Sequence, residues 1–271
     1  RFHLSNRVGL FKRVGPLLWK RYNGVRKQER SMSISRVLID VIILAGGLGT
    51  RLRPLIHDVP KPLAPVRGRP FLDILLEQLD GFGQIQGVVL AIGFKADHII
   101  NTYRERDCYS FDIRFAVEDV PLGTGGAIKN ALSYTTSSDV LIMNGDSFVE
   151  FDLSDFLKMH EECAADITFL VTEVPDVNRY SSVNVDTVTS RITQISKKGE
   201  ARGTGFINAG CYLLKRSIFD QIPNAQNVSF EDQILPLLLH NAYARVVKGK
   251  FIDIGTPESY TTANSNNFWN R

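Results

Sequence analysis

Three glycines in four positions, then an arginine, stand together in Leu44-Ala45-Gly46-Gly47-Leu48-Gly49-Thr50-Arg51-Leu52-Arg53-Pro54. Glycine leaves backbone amides uncovered, and free N–H groups at such a turn form a nest for an anion. Arg51 adds a planar guanidinium able to grip two phosphoryl oxygens at once. Ten residues on stands Lys61, held between Pro60 and Pro62, whose rings stiffen the backbone beneath the ammonium. A Walker-type loop is excluded because no Gly-Lys-Ser/Thr follows, and a dinucleotide fingerprint is excluded because Leu52 stands where its third glycine belongs. What remains is a phosphate loop carrying its own cations. The bland alternative is a tight turn followed by a solvated lysine.

Two carboxylates belong to the same chemistry. Asp146 follows Asn144-Gly145 at the end of an apolar run, and Asp253 lies in Phe251-Ile252-Asp253-Ile254-Gly255-Thr256-Pro257. Alone, either reads as a cap or turn residue. Beside an arginine-bearing phosphate loop they read as holders of Mg²⁺, which takes one or two carboxylates together with phosphate and water. A second glycine-rich turn runs from Glu118 to Ala127, and a helix from Gly126 would aim its amino end at a ligand. His57, His98, His160 and His240 fall in no catalytic motif and no serine–histidine pair is visible.

The elements that must position these groups are legible in the hydrophobic pattern. Residues 37–44, 87–92, 111–117 and 139–143 are short apolar runs; 70–79, 95–104 and 126–132 are amphipathic stretches between them. Near-continuous apolar strands separated by helices mean a sheet covered on both faces. A helix at 155–162 is followed by strand-like runs at 167–171, 183–185, 191–196 and 206–214. The chain closes with a helix at 231–240 bent or broken at Pro236, a strand at 243–247 and a helix at 257–263. The expected fold class is α/β: a Rossmann-like, mainly parallel sheet with helices on both faces and a β-rich second half. Ligands then sit beyond the carboxyl ends of the strands, where the glycine loop and both aspartates fall.

Composition narrows the setting. With 44% hydrophobic and 23% charged residues among 271, the chain is of ordinary globular type. Its longest apolar runs, 41–45 and 234–239, fall far short of the ~20 residues of a membrane span. Residues 1–36 hold ten Lys/Arg against Glu29, a balance of +9, while the remaining 22 bases and 28 acids leave the body at −6. That body gives no reason to bind nucleic acid or a membrane. Three cysteines at wide spacings, Cys108, Cys163 and Cys211, form no disulfide framework and fit a reduced, cytoplasmic setting. Residues 1–36 are read as a basic leader outside the fold, with Met32 as a natural start; upstream sequence, a targeting peptide and a basic arm for RNA or membrane all stay open. The working domain is taken as 37–266.

The string GGLGTRLRP followed by PKPL resembles the sugar-1-phosphate nucleotidyltransferases, whose hallmark is GGxGTRLxP and then PKP. This resemblance implies that a nucleoside triphosphate and a sugar 1-phosphate give a nucleotide-sugar and pyrophosphate. It implies that Leu44, Ala45, Gly46, Gly47, Gly49 and Thr50 bind the nucleotide, that Pro121, Gly123 and Thr124 close over its base, and that Asp146 and Asp253 hold Mg²⁺. Arg51 and Lys61 would stabilise the leaving pyrophosphate, and Lys198, in Ile195-Ser196-Lys197-Lys198-Gly199, would grip the sugar phosphate. Lys197 stands where the family has an acid. Asn208 would bind sugar hydroxyls, with Ser181, where the family has glycine, and Glu173 beside it. Within the family, the strings VPKPLAPV, PLGTGGA, INAG and FIDIGTPE look most like the bacterial cytoplasmic guanylyltransferases that use GTP and D-glycero-D-manno-heptose 1-phosphate. The alternatives are a mannose or glucose 1-phosphate enzyme using GTP, dTTP or UTP, and a non-catalytic homologue. A homo-oligomer is allowed, and the oligomeric state is left open.

Overall fold

Residues 39–44 read Ile-Asp-Val-Ile-Ile-Leu, and all but the last are buried, so this strand needs cover on both sides. A computed structural model describes residues 37–270 apart from Arg53 and residues 223–226. The readings of the leader lie outside the described residues. The first half contains β1 (Ile39–Leu44), a hairpin of β2 (Pro65–Val66) and β3 (Arg69–Pro70), α1 (Phe71–Phe82), β4 (Ile85–Ile92), α2 (Ala96–Tyr103) and β5 (Asp112–Val117). Then follow α3 (Gly123–Leu132), β6 (Asp139–Asn144), β7 (Ser147–Val149), α4 (Leu153–Glu162), β8 (Ile167–Val174), β9 (Ser182–Val185) and β10 (Ile192–Ser196). The chain continues through β11 (Gly205–Lys215), α5 (Leu235–Leu238), β12 (Ala242–Val247), β13 (Phe251–Asp253), α6 (Pro257–Asn264) and α7 (Asn266–Trp269).

Strands β6, β1, β4 and β5 lie side by side in parallel, with Val41 opposite both Leu141 and Val88. Strand β11 then runs antiparallel to β6, pairing Leu213 with Leu141, and carries β8 and β9 on its other contacts. Strand β12 joins β8 in parallel and β10 joins β9 antiparallel, completing nine strands. The α/β class, the mainly parallel sheet and the β-rich second half are as the sequence leads one to expect.

Alternation along each strand feeds two cores. Val41, Ile43, Leu90 and Leu141 face Leu72, Leu75, Leu76 and Phe156 of α1 and α4. Ile42, Val89 and Ile142 face Ile128 of α3 together with Phe169, Tyr212 and Phe230. Asp40 interrupts β1 with a fully buried carboxylate, whose Oδ2 accepts the amides of Thr136 and Ser137 at 2.7 and 2.9 Å. It fastens the amino end of the strand, opposite the glycine loop. The helix expected at 231–240 is in three pieces, a π-helical turn at Phe230–Ile234, α5 and a 3₁₀ turn at Leu239–Asn241. Pro236 lacks the N–H that a continuous ladder requires.

No helix among the described residues is long and apolar enough to cross a membrane. The three cysteines are unpaired, with Cys108 exposed and Cys211 buried.

Candidate active site

The glycine loop springs from the carboxyl end of β1. Ala45 donates its amide to Ala91 O at 2.8 Å, which keeps the chain in the sheet up to the first glycine. Leu52 ends the loop by inserting into the core with 2% exposure, and its amide closes a turn on Gly49 O at 3.0 Å. The side chain that rules out a dinucleotide fingerprint is thus the plug anchoring the loop. Between these anchors, Leu44, Ala45, Gly47, Gly49, Thr50 and Arg51 line a cavity of about 230 Å³, whose remaining walls are Lys61, Pro62, Gly145, Asp146 and Gly255. Gly46 lies behind it, its carbonyl accepting Phe94 N at 3.3 Å.

Lys61 opens a 3₁₀ turn, Lys61–Leu63, between its two prolines. Its ammonium, in a side chain only 11% exposed, pairs with the Asp146 carboxylate. Asp146 follows β6 after Gly145, and Asp253 ends β13. Strands β7 and β13 pair antiparallel with Ser147 opposite Asp253, and Ile254 donates its amide to Asp146 O at 2.8 Å. The Asp253 Oδ1 accepts Gly255 N at 2.6 Å. A side chain at Gly255 would collide with that carboxylate and stand 3.4 Å from the Lys61 ammonium. Glycine there is what leaves room for the Asp253 carboxylate to fold back onto the Gly255 amide.

The donor set answers whether a divalent ion fits. Asp146 and Asp253 offer only hard carboxylate oxygens, as Mg²⁺ prefers, and Asp146 already pairs with a cation, the Lys61 ammonium. Among the described residues no group of three His, Cys, Asp or Glu side chains is placed to hold a metal, so the two aspartates would need phosphate and water to complete a coordination shell.

The second glycine-rich turn differs from expectation. Helix α3 starts at Gly123 rather than Gly126, and its first amides are already used: Gly125 and Gly126 donate to Val228 O at 2.7 and 3.3 Å. Pro121 O accepts Asn227 Nδ2 at 3.0 Å and Thr124 Oγ1 accepts Phe230 N at 2.9 Å. Pro121, Gly123 and Thr124 therefore do not line the cavity; they dock residues 227–230. A Cβ on Gly123 would lie 2.6 Å from Val228 O, so the close approach itself demands glycine. Glu118 ties this turn to the first loop. Its Oε2 accepts Leu122 N at 3.1 Å, and burial pushes its carboxyl above the usual range.

The expected sugar residues lie across β8, β9 and β11. Asn208 N donates to Ser181 O at 3.3 Å, bringing those two together. The Asn208 side chain is largely committed, giving Nδ2 to the Tyr212 hydroxyl at 2.5 Å and taking Gly210 N at 2.9 Å. Glu173 is exposed opposite Phe206, and Lys198 is exposed on the turn after β10. Neither lines the cavity. Lys197, not Lys198, crosses to a neighbouring segment, pairing with Asp232 at 3.0 Å. Residues preceding Ser181 brace the second aspartate: Arg179 binds Thr256 Oγ1 at 2.9 Å and Glu258 at 3.1 Å. Burial and the adjoining Asp253 carboxylate push the Tyr180 hydroxyl up to about 12. Sequence reading missed Tyr180 and Glu118 as site neighbours; Glu118 directly follows β5, whereas Tyr180 sits between a 3₁₀ turn and β9 and carried no such signal.

A sheet edge that gathers a glycine loop, two cations and two carboxylates is built for phosphoryl chemistry. Residues 40–268 match the Nucleotidyl transferase family. The chain belongs to that family. It is 38% identical over 230 residues to the D-glycero-alpha-D-manno-heptose 1-phosphate guanylyltransferase of Campylobacter jejuni, covering 82% of this chain and 97% of that one. It is 34% identical over 226 residues to the mannose-1-phosphate guanylyltransferase of Mycobacterium tuberculosis, covering 82% of this nucleotidyl transferase and 62% of that protein. Among solved structures, HddC from Yersinia pseudotuberculosis matches with TM-score 0.75 and 40% identity over 84% of this chain and 98% of its own. HddC has also been solved in complex with GMP-PN.

Proposed function

We propose that this nucleotidyl transferase moves a guanylyl group from GTP to D-glycero-α-D-manno-heptose 1-phosphate, giving the nucleotide-sugar and pyrophosphate. The observation that carries the reaction is the pairing of Lys61 with Asp146, beside Asp253 and below the Gly47–Arg51 loop. The choice of heptose and GTP is supported by the names of the relatives and by the ligand bound to HddC.

The nucleophile is an oxygen of the sugar phosphate, already ionised, so the protein's task is to align two polyanions and offset the charge of the departing pyrophosphate. The loop from Leu44 to Thr50 would seat the triphosphate on its amides. Arg51 would grip phosphoryl oxygens bidentately, and Lys61 would turn from Asp146 toward the leaving group. Asp146 and Asp253 would hold Mg²⁺, which when bound supplies positive charge to the nucleotide phosphates. Pro121, Gly123 and Thr124 are assigned to the base side, Lys198 to the sugar phosphate, and Asn208, Ser181 and Glu173 to the sugar hydroxyls. An exposed free thiol at Cys108 suits the reducing cytoplasm.

The test is pyrophosphate release with GTP and D-glycero-α-D-manno-heptose 1-phosphate, against a panel of the four triphosphates and of mannose and glucose 1-phosphates, with and without Mg²⁺. The reading expects highest kcat/KM for the heptose–GTP pair and none without divalent ion. Preference for mannose 1-phosphate would move the protein to the function named for its Mycobacterium relative. No turnover with any pair would mark a non-catalytic homologue.

A further inference from the structure

Glu231 belongs to none of the groups assigned so far, yet its position is fixed from both sides. On one side Phe230 gives its amide to Thr124 Oγ1 at 2.9 Å and sets its ring edge-on to Tyr212, centroids 5.2 Å apart. On the other, Asp232 pairs with Lys197 at 3.0 Å, tying the segment to the turn after β10. The backbone between these anchors is the π-helical turn Phe230–Ile234, a conformation frequent at functional sites.

Glu231 itself is open to water. Surrounding protein nevertheless desolvates its carboxyl, and the charges of Asp232 and Asp146 add to that, raising its pKa above the ordinary value. The Tyr212 hydroxyl feels the charge of Glu231 in turn. Because Phe230 packs on Tyr212 and the Tyr212 hydroxyl accepts Asn208 Nδ2 at 2.5 Å, the next residue, Glu231, belongs to the Asn208 end of the β-rich half. It is not a third metal ligand, since no three acidic side chains gather among the described residues.

Among the residues assigned to the sugar hydroxyls, Glu173 is the one carboxylate. Asn208 spends its amide on Tyr212 and Gly210, and Lys197 is a donor engaged elsewhere. We propose that Glu231 binds hydroxyl groups of the sugar 1-phosphate, with the Lys197–Asp232 pair and the Phe230 anchor holding it in place. An ionised carboxylate offers about four lone-pair sites and no donor, which suits adjacent hydroxyls, and such O–H···O⁻ bonds are the strong kind. The inference deepens the proposed function and rests on it for the identity of the ligand.

The experiment compares wild type and Glu231→Gln in the full chain, using GTP and D-glycero-α-D-manno-heptose 1-phosphate. The substitution should raise the sugar phosphate KM about ten- to a hundredfold, the scale of a lost hydrogen bond to a charged group, and leave the GTP KM unchanged. Monodeoxy analogues of the sugar phosphate supply the readout that a merely structural role would not move. With the analogue lacking the contacted hydroxyl, wild type and variant should bind alike. Unchanged sugar phosphate KM, or equal rises for both substrates, overturns the assignment. If wild type releases no pyrophosphate, the proposed reaction falls. Calorimetric binding of the heptose 1-phosphate, weakened by Glu231→Gln or not, then still decides the role of Glu231.

Discussion

Ser147 and Asp253 face each other across the antiparallel pair of β7 and β13. That register sets Asp253 beside Asp146, which precedes Ser147, and a backbone hydrogen bond from Ile254 to Asp146 O locks it. The two carboxylates are therefore spaced by ladder geometry, which tolerates little drift, instead of by flexible loops.

Asp146→Asn and Asp253→Asn each keep shape and remove one charge, so each should abolish Mg²⁺-dependent turnover while circular dichroism stays native. Pyrophosphate release across a Mg²⁺ titration is the measurement. Near-normal rates in both variants at limiting Mg²⁺ would place the metal elsewhere.

Arg51→Lys retains charge but loses the planar fork, and Lys61→Met removes the ammonium beside Asp146. Both should lower kcat by about 10²–10³-fold, the scale of losing one preorganised donor to a developing charge, with little change in sugar phosphate KM. Steady-state kinetics with each substrate varied separates this from lost binding; a pure KM effect would mean these cations bind the ground state only.

How much of this was legible depends on the range of the physics involved. Apolar runs such as 87–92 and 139–143 declared a sheet covered on both faces, and Pro236 declared a broken helix, because both are local effects. Strands β7 and β13 are three residues each and pair only with one another, so no window of sequence holds their signal. The glycine-rich turn at 118–127 suggested a helix end aimed at a ligand, whereas what Gly123 and Gly125 make room for is Val228, a residue far along the chain. Glu231 was invisible for a similar reason: in Phe230-Glu231-Asp232 it reads as the acidic first turn of a helix.

Lys198→Ala should raise the sugar phosphate KM while nucleotide binding, followed by calorimetry, stays nearly constant. Lys197→Ala should do less, because that ammonium is occupied with Asp232 at an exposed position. If Lys197→Ala alone weakens the sugar phosphate, the two lysines have exchanged the roles proposed here.

Glu231 also predicts a pH signature. Its carboxyl keeps its proton more tightly in the fold than in the unfolded chain, so its contribution to stability is complete below the ordinary glutamate pKa of about 4.3. That contribution is lost as pH rises through the raised folded value. Glu231→Gln should melt higher than wild type at pH 7 and converge with it near pH 4, read by thermal denaturation across that range. Identical melting at pH 7 would show that the carboxylate carries no such cost.

Strand β13 enters the fold late, after every other strand has been synthesised. A nascent chain on the ribosome can complete its glycine loop, Lys61 turn and Asp146 while the partner of Ser147 is still untranslated. Such a chain would carry Arg51, Lys61 and Asp146 but lack Asp253, the second carboxylate of the proposed metal site. On the proposed assignment, interrupted translation would yield an inert fragment, and nucleotide would be consumed only by chains made through Asp253.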